Sequence, residues 1–259
     1  MHVGDIDIHY EIHGSGEPLV LIEGLGYAAW MWFKQVPELS KHFQVIIFDN
    51  RGVGNTDKPD MEYSIKMFAE DTAGLLKALG IPRAYILGVS MGGFIAQEFA
   101  LAYPEMAKKL ILCSTSFGGP HMIPIPERTL QIMAQGGRTP EETFRVGLSV
   151  AVGGNYLQKK ADEMEMIIGW RLANIQPRYA YMRQFHAGAG FDAEERVGRI
   201  TAPTLVMAGE DDQVVPAENA RLLTAKIAGA RLELFPGAGH LFFIEKAAEF
   251  NRKVLDFLR

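Results

Sequence analysis

Six apolar runs punctuate the chain: LVLIEG, QVIIFDN, IPRAYILGVS, KLILCSTS, PTLVMAGE and ARLELFPGAG. Runs of this length that do not alternate with polar residues are expected of strands buried on both faces. Helical patterns such as SIKMFAEDTAGLLKALG and AENARLLTAKIAG lie between most of them. Strand and helix in alternation imply a mostly parallel twisted sheet with helices on both faces, an α/β class. Ahead of the first run, DIDIHYEIHG alternates and GSGEP forms a Gly-rich turn, which reads as antiparallel strands. The alternation breaks once. From Gly118 to Arg199 only helix-like segments occur: IPERTLQIMAQGG, TPEETFRVGLSVAV, NYLQKKADEMEMIIGWRLAN and PRYAYMRQFHAGAG. Thr139, Pro140 and Glu142 occupy helix-start positions in the second of these. The expected organisation is a core of residues 1–117 and 200–259, with a helical cap of residues 118–199 inserted after the sixth strand. A chain of 259 residues suffices for one such domain with its insertion.

The third apolar run ends in Gly88-Val89-Ser90-Met91-Gly92, a Gly-x-Ser-x-Gly pattern between a buried strand and the helix-like MGGFIAQEFALAYP. A turn that tight forces a strained backbone at Ser90 and leaves no room for side chains at 88 and 92. Read alone, the five residues also fit a plain Gly-rich turn. A serine hydroxyl is a poor nucleophile without a histidine base and an acid that orients it. Candidates for both follow later in the chain, each just past an apolar run. Asp211 and Asp212 stand in AGEDDQVVP, and His240 stands in the Gly-flanked FPGAGHLFF. The order Ser90, Asp212, His240 suits a strand-end triad, with Asp211 as the alternative acid. His2, His9 and His13 fall in the N-terminal hairpin, His42 ends a helix, and His121 and His186 lie in the cap, so His240 is the candidate base.

Acyl transfer also requires two backbone N–H groups aimed at the developing oxyanion. Met91, directly after the nucleophile, supplies one, and Leu25 between Gly24 and Gly26 is the candidate for the other. Gly24, Trp30, Phe144, Trp170 and Leu241 are candidate pocket residues, in a chain whose cap also carries Arg128, Arg171, Arg178 and Arg183.

The remaining features exclude other classes. The net charge of −5 gives no basic footprint for nucleic acid. Apolar stretches are short or broken by Glu23 and glycines, and the N-terminus lacks the pattern of a secretory signal, so no membrane span and a cytoplasmic location are expected. Cys113 is the sole cysteine and reads as a core residue, which leaves no disulfide and no cysteine cluster for a metal. No nucleotide-binding glycine pattern occurs, and no cofactor is expected.

LVLIEGLG, VIIFDNRGVGNTDKP, LGVSMGG, GEDDQVVP and GAGHLFFIE together resemble an α/β-hydrolase of the ester- and lactone-hydrolysing branch over essentially the whole chain. The resemblance assigns the acid role to Asp212, through the spacing Gly-x-x-Asp-x-x-x-Pro. Glu23 departs from it, since many relatives carry histidine there. Relatives that open epoxides or remove halide carry aspartate at the position of Ser90. The implied activity is hydrolysis of small to medium hydrophobic carboxylic esters through an acyl-enzyme. Enol-lactonase, carbon–carbon bond hydrolase and perhydrolase chemistry are alternatives within the fold. A ligand receptor with an intact triad is the alternative outside catalysis. The expected partner is a small ester or lactone, and a homodimer is left open.

Overall fold

The computed structural model describes residues 1–135 and 137–259. The strands are β1 (His2–Val3), β2 (Ile6–Asp7), β3 (Tyr10–His13), β4 (Pro18–Ile22), β5 (Gln44–Phe48), β6 (Ala84–Val89), β7 (Ala107–Cys113), β8 (Thr204–Gly209) and β9 (Arg231–Phe235). β1 and β2 pair only with each other, and the other seven form one sheet in the order β3-β5-β4-β6-β7-β8-β9. Within that sheet β3 is antiparallel to β5 and the remaining pairings are parallel. All six apolar runs became strands of this sheet. The N-terminal alternating stretch did not stay whole, because Ile8 and His9 separate β2 from β3 and send them to different sheets. The insertion therefore follows the seventh strand in chain order, β7, rather than the sixth.

The helices are α1 (Val36–Leu39), α2 (Ile65–Ala78), α3 (Met91–Ala102), α4 (Glu127–Gln135), α5 (Pro140–Ala151), α6 (Tyr156–Lys159), α7 (Ala161–Ala173), α8 (Arg178–Ala189), α9 (Glu218–Lys226), α10 (Phe242–Glu245) and α11 (Ala247–Leu258). Side chains alternate across a strand, so one chain feeds two cores. Val20, Ile22, Ile46, Ile86, Leu112 and Val206 pack with α2, α3 and α9 on one face. Leu19, Leu21, Val45, Leu87, Ile111 and Met207 pack with α1, α10 and α11 on the other. Cys113 is fully buried in this second core, and burial pushes its thiol well above the ordinary range.

Helices α4 to α8 occupy the insertion. Thr139 caps α5 by accepting the Glu142 N–H at 3.2 Å, with Pro140 as first helical residue, as the sequence predicts. Gly136, at the end of the first cap segment, lies outside the described residues. The chain leaves and re-enters the core at one point, where Gly118 bridges Asp192 and the Ala193 N–H donates to Phe117 O at 2.8 Å. Ala193 and Val197 then pack in the core with α3 and α9. No helix among the described residues is long and apolar enough to cross a membrane.

The strand order locates the crevice. From β4 the chain moves outward to β5 and then crosses back to β6 on the other side of β4. Loops after β4 and β6 thus diverge above the strand ends, the place where open α/β sheets bind ligands. The loop after β4 begins Glu23-Gly24-Leu25, and the residue after β6 is Ser90.

Candidate active site

Ser90 sits between β6 and α3 with φ 57 and ψ −120, a conformation that side chains rarely adopt. The strain is imposed by close packing around it. A Cβ on Gly88 would run into Gly92 O, and one on Gly92 would run into Ile22 O. These glycines let the strand, the helix and β4 approach one another, as the sequence pattern requires.

His240 follows β9, and its Nδ1 meets Asp212 Oδ2 at 2.8 Å. Asp212, after β8, is buried, and its Oδ1 accepts the N–H groups of Val214 and Val215, both at 2.8 Å. Three hydrogen bonds fix the carboxylate and hence the imidazole tautomer, with Nδ1 as donor and Nε2 left as the basic nitrogen. Asp211 is exposed, so the structure pairs Asp212 with His240. Ser90 Oγ makes no hydrogen bond among the described residues. Bonds between nucleophile and base are commonly long before substrate arrives.

Two residues that the sequence reading passed over bring Ser90 and His240 to the same strand end. The Ser114 hydroxyl donates to His240 O at 2.9 Å, and the Thr115 hydroxyl donates to Ser90 O at 2.9 Å. Ser114 itself has φ 44. The hydroxyl run Ser114-Thr115-Ser116 immediately after β7 is the signal that could have revealed them. Glu245 is a third such residue. Its Oε1 accepts the Gly239 N–H at 2.9 Å and its Oε2 the Gly153 N–H at 3.0 Å, which joins the histidine loop to the cap. Burial raises the Glu245 carboxyl above the ordinary range.

The loop after β4, the candidate oxyanion loop, passes directly beside Ser90. A Cβ on Gly24 would lie 3.1 Å from Ser90 Cβ and 3.7 Å from Ser90 Oγ. The N–H groups of Leu25 and of Met91, first residue of α3, make no hydrogen bond among the described residues. Beneath the loop, fully buried Glu23 accepts the Asn50 N–H on Oε1 at 2.7 Å, while Oε2 has no partner among the described residues. Burial, reinforced by the nearby Asp49 carboxylate, pushes the Glu23 carboxyl well above the ordinary range.

The proposed pocket residues separate into groups. Trp30 packs at a tilt against Trp170 at 5.5 Å and Tyr27 at 5.6 Å, and Trp170 also meets Phe33 edge-on at 5.1 Å, so these rings form the seam between core and cap. Phe144 contacts this seam through Arg171, whose guanidinium lies 4.2 Å from the Phe144 ring centroid and 4.7 Å from that of Tyr27. Leu241, next to His240, is buried in the second core. Gly24 is the pocket candidate measured against Ser90 itself.

A sequence profile of the alpha/beta hydrolase fold matches residues 17–247. The chain belongs to the alpha/beta hydrolase family. Among curated relatives of this hydrolase, 2-hydroxy-6-oxo-6-phenylhexa-2,4-dienoate hydrolase of Comamonas testosteroni is 33% identical, with 99% of this chain and 93% of that protein covered. Among solved structures, the enol-lactonase from Burkholderia xenovorans LB400 superposes with a TM-score of 0.88 at 28% identity, covering 99% of this chain and 98% of the other. A thermophilic esterase from Thermogutta terrifontis gives a TM-score of 0.85 at 26% identity, covering 98% and 93%. The hydrolase thus has relatives named for three different bond cleavages.

Proposed function

We propose that this hydrolase cleaves carboxylic esters of small to medium hydrophobic acyl or aryl substrates through an acyl-enzyme on Ser90. The observation that carries the reading is the 2.8 Å contact between His240 Nδ1 and Asp212 Oδ2, which leaves Nε2 as the basic nitrogen, at the strand end that also holds Ser90 in its strained turn. His240 Nε2 takes the Ser90 proton as Oγ attacks the ester carbonyl carbon. The carbonyl oxygen becomes an oxyanion and receives the N–H groups of Leu25 and Met91. Collapse expels the alcohol, which leaves with the proton from His240. Water, deprotonated by the same imidazole, then attacks the acyl-enzyme and releases the acid with Ser90 restored. Asp212 holds the tautomer and stabilises the imidazolium. A half-buried aromatic seam of Tyr27, Trp30, Phe33 and Trp170 supports the preference for hydrophobic substrates.

Arg171 favours a second reading, cleavage of a carbon–carbon bond in a ketone that bears a carboxylate. Its guanidinium is stacked between Tyr27 and Phe144 and makes no ion pair among the described residues. A relative named for a dienoate substrate supports this alternative.

Turnover of a p-nitrophenyl ester series of graded acyl length, alongside one lactone and one vinylogous keto acid, tests both. The expected result is ester turnover at ordinary enzyme rates, abolished in Ser90→Ala. Stoichiometric binding without turnover would make the chain a receptor, and turnover retained in Ser90→Ala would remove the nucleophile assignment.

A further inference from the structure

The Leu25 N–H has no hydrogen-bond partner among the described residues, and its direction is set by the turn that contains it. Tyr27 N–H closes that turn on Gly24 O at 3.3 Å, and Gly26 at its third position has φ 71. With Leu25 on the ordinary side of the map, this is a type II turn, and its central peptide, Leu25–Gly26, is the one that turns over in the exchange with type I. The N–H of that central peptide does not face solvent. It donates to Gln184 Oε1 at 3.2 Å.

Gln184 belongs to cap helix α8, 158 residues away in sequence, and is fully buried. Its other amide atom, Nε2, donates to Arg51 O at 2.8 Å. Arg51 is itself fixed, with Nε and Nη2 on the two Asp71 carboxylate oxygens at 2.6 and 2.7 Å and Nη2 also on Asp5 at 3.0 Å. Gln176, just ahead of α8, docks in the same way, its Nε2 donating to Gly52 O at 2.8 Å. One side of Gln184 must accept and the other must donate, which an amide does and a carboxylate or thioether does not.

We propose that Gln184 is the positioning residue of the second oxyanion donor: by pinning the Leu25–Gly26 peptide to the anchored Arg51 carbonyl, the cap helix holds the Leu25 N–H aimed above Ser90. The pinned peptide begins at the Leu25 α-carbon, so it constrains the N–H on the other side of the same atom. Gln184 does not touch substrate. Oxyanion stabilisation depends on donors placed before the reaction begins, and a shift of an ångström forfeits most of it. The cap therefore contributes to the chemical step as well as to the pocket walls. This inference rests on the proposed acyl-transfer reading.

The test is steady-state hydrolysis of p-nitrophenyl butyrate by wild type, Ser90→Ala, Gln184→Met and Gln184→Glu, together with the rate at which a fluorophosphonate labels Ser90. Gln184→Met is expected to lower kcat by roughly 10- to 100-fold, with KM within about twofold and labelling slowed in parallel, a loss in the range of one misaimed donor. Gln184→Glu at neutral pH places a charged acceptor against the Arg51 carbonyl. Protonating that carboxyl restores one donor and one acceptor, so the ratio of its kcat to that of wild type should rise as pH falls. A folded Gln184→Met with wild-type kcat would overturn the proposal. Should that variant fail to fold, a ratio for Gln184→Glu that stays flat with pH would overturn it equally. A wild type that neither turns over ester nor labels at Ser90 overturns the acyl-transfer reading itself, and this inference with it.

Discussion

Ser114 holds His240 by its backbone: the Ser114 hydroxyl donates to His240 O at 2.9 Å across 126 residues of sequence. Ser114 occupies the left-handed region at φ 44, directly after β7, where its N–H donates to Met207 O at 2.9 Å. The same short segment carries Thr115, which holds Ser90 O. Ser90 and His240 are thereby registered against one strand end. Ser114→Ala removes the donor and leaves a buried carbonyl unpaired, which costs about 1–3 kcal/mol. We expect a lower unfolding midpoint and a kcat reduced by about tenfold. A variant with lowered stability and unchanged kcat would show that the bond does not position the imidazole.

Asp212→Asn tests the tautomer. The amide would retain an acceptor for Val214 and Val215 and present its NH2 to His240 Nδ1, which forces the proton onto Nε2. A base already protonated on the reacting nitrogen cannot accept the Ser90 proton, and the same exchange in a serine protease lowers kcat by about 10⁴-fold. Ser90→Ala and His240→Ala should each cost at least this much, and the double variant little more, because the triad acts as a unit. Additive losses in ester hydrolysis would contradict that unit.

Glu23 predicts a pH dependence of stability. Its folded carboxyl is held well above the ordinary glutamate range by burial and by Asp49. Between the unfolded and folded values the native state binds more protons than the unfolded state, so stability falls as pH rises through that window. Glu23→Gln carries no such penalty. The unfolding free energy of the variant, taken relative to wild type, should therefore climb as pH is raised from 5 to 8, by up to about 1.4 kcal/mol per pH unit. A difference that does not change with pH would mean that Glu23 is ionised in the fold.

Arg171 separates the two substrate readings. Between the Tyr27 and Phe144 rings its guanidinium makes no ion pair among the described residues, and its edge could take a planar anion. Arg171→Gln is expected to raise KM for a carboxylate-bearing substrate by about tenfold or more, in line with a lost charge-assisted hydrogen bond, and to leave neutral esters within about twofold. Equal effects on both classes would assign Arg171 to packing of the seam.

The local pattern of the chain determined the strands, the elbow at Ser90, the acid loop and the histidine loop. Each of these is a strand end followed within a few residues by the glycines or turn residues it needs, so the physical requirement and the residues that meet it are neighbours in sequence. Glu23 marks a limit of that reading: its identity is visible, but the upward shift of its carboxyl comes from burial and from Asp49, which β5 brings beneath the loop after β4. The same holds for Trp30, Phe144 and Trp170, which look like pocket residues by type and turn out to meet one another's neighbours at the seam. Tertiary structure alone decided what aims the groups. Ser114 reaches His240, Glu245 reaches Gly153 across 92 residues, and Gln184 reaches Gly26 across 158. A single serine, glutamate or glutamine carries no periodicity or motif, and its role arises only when folding sets a polar side chain against an unpaired backbone group that water can no longer reach.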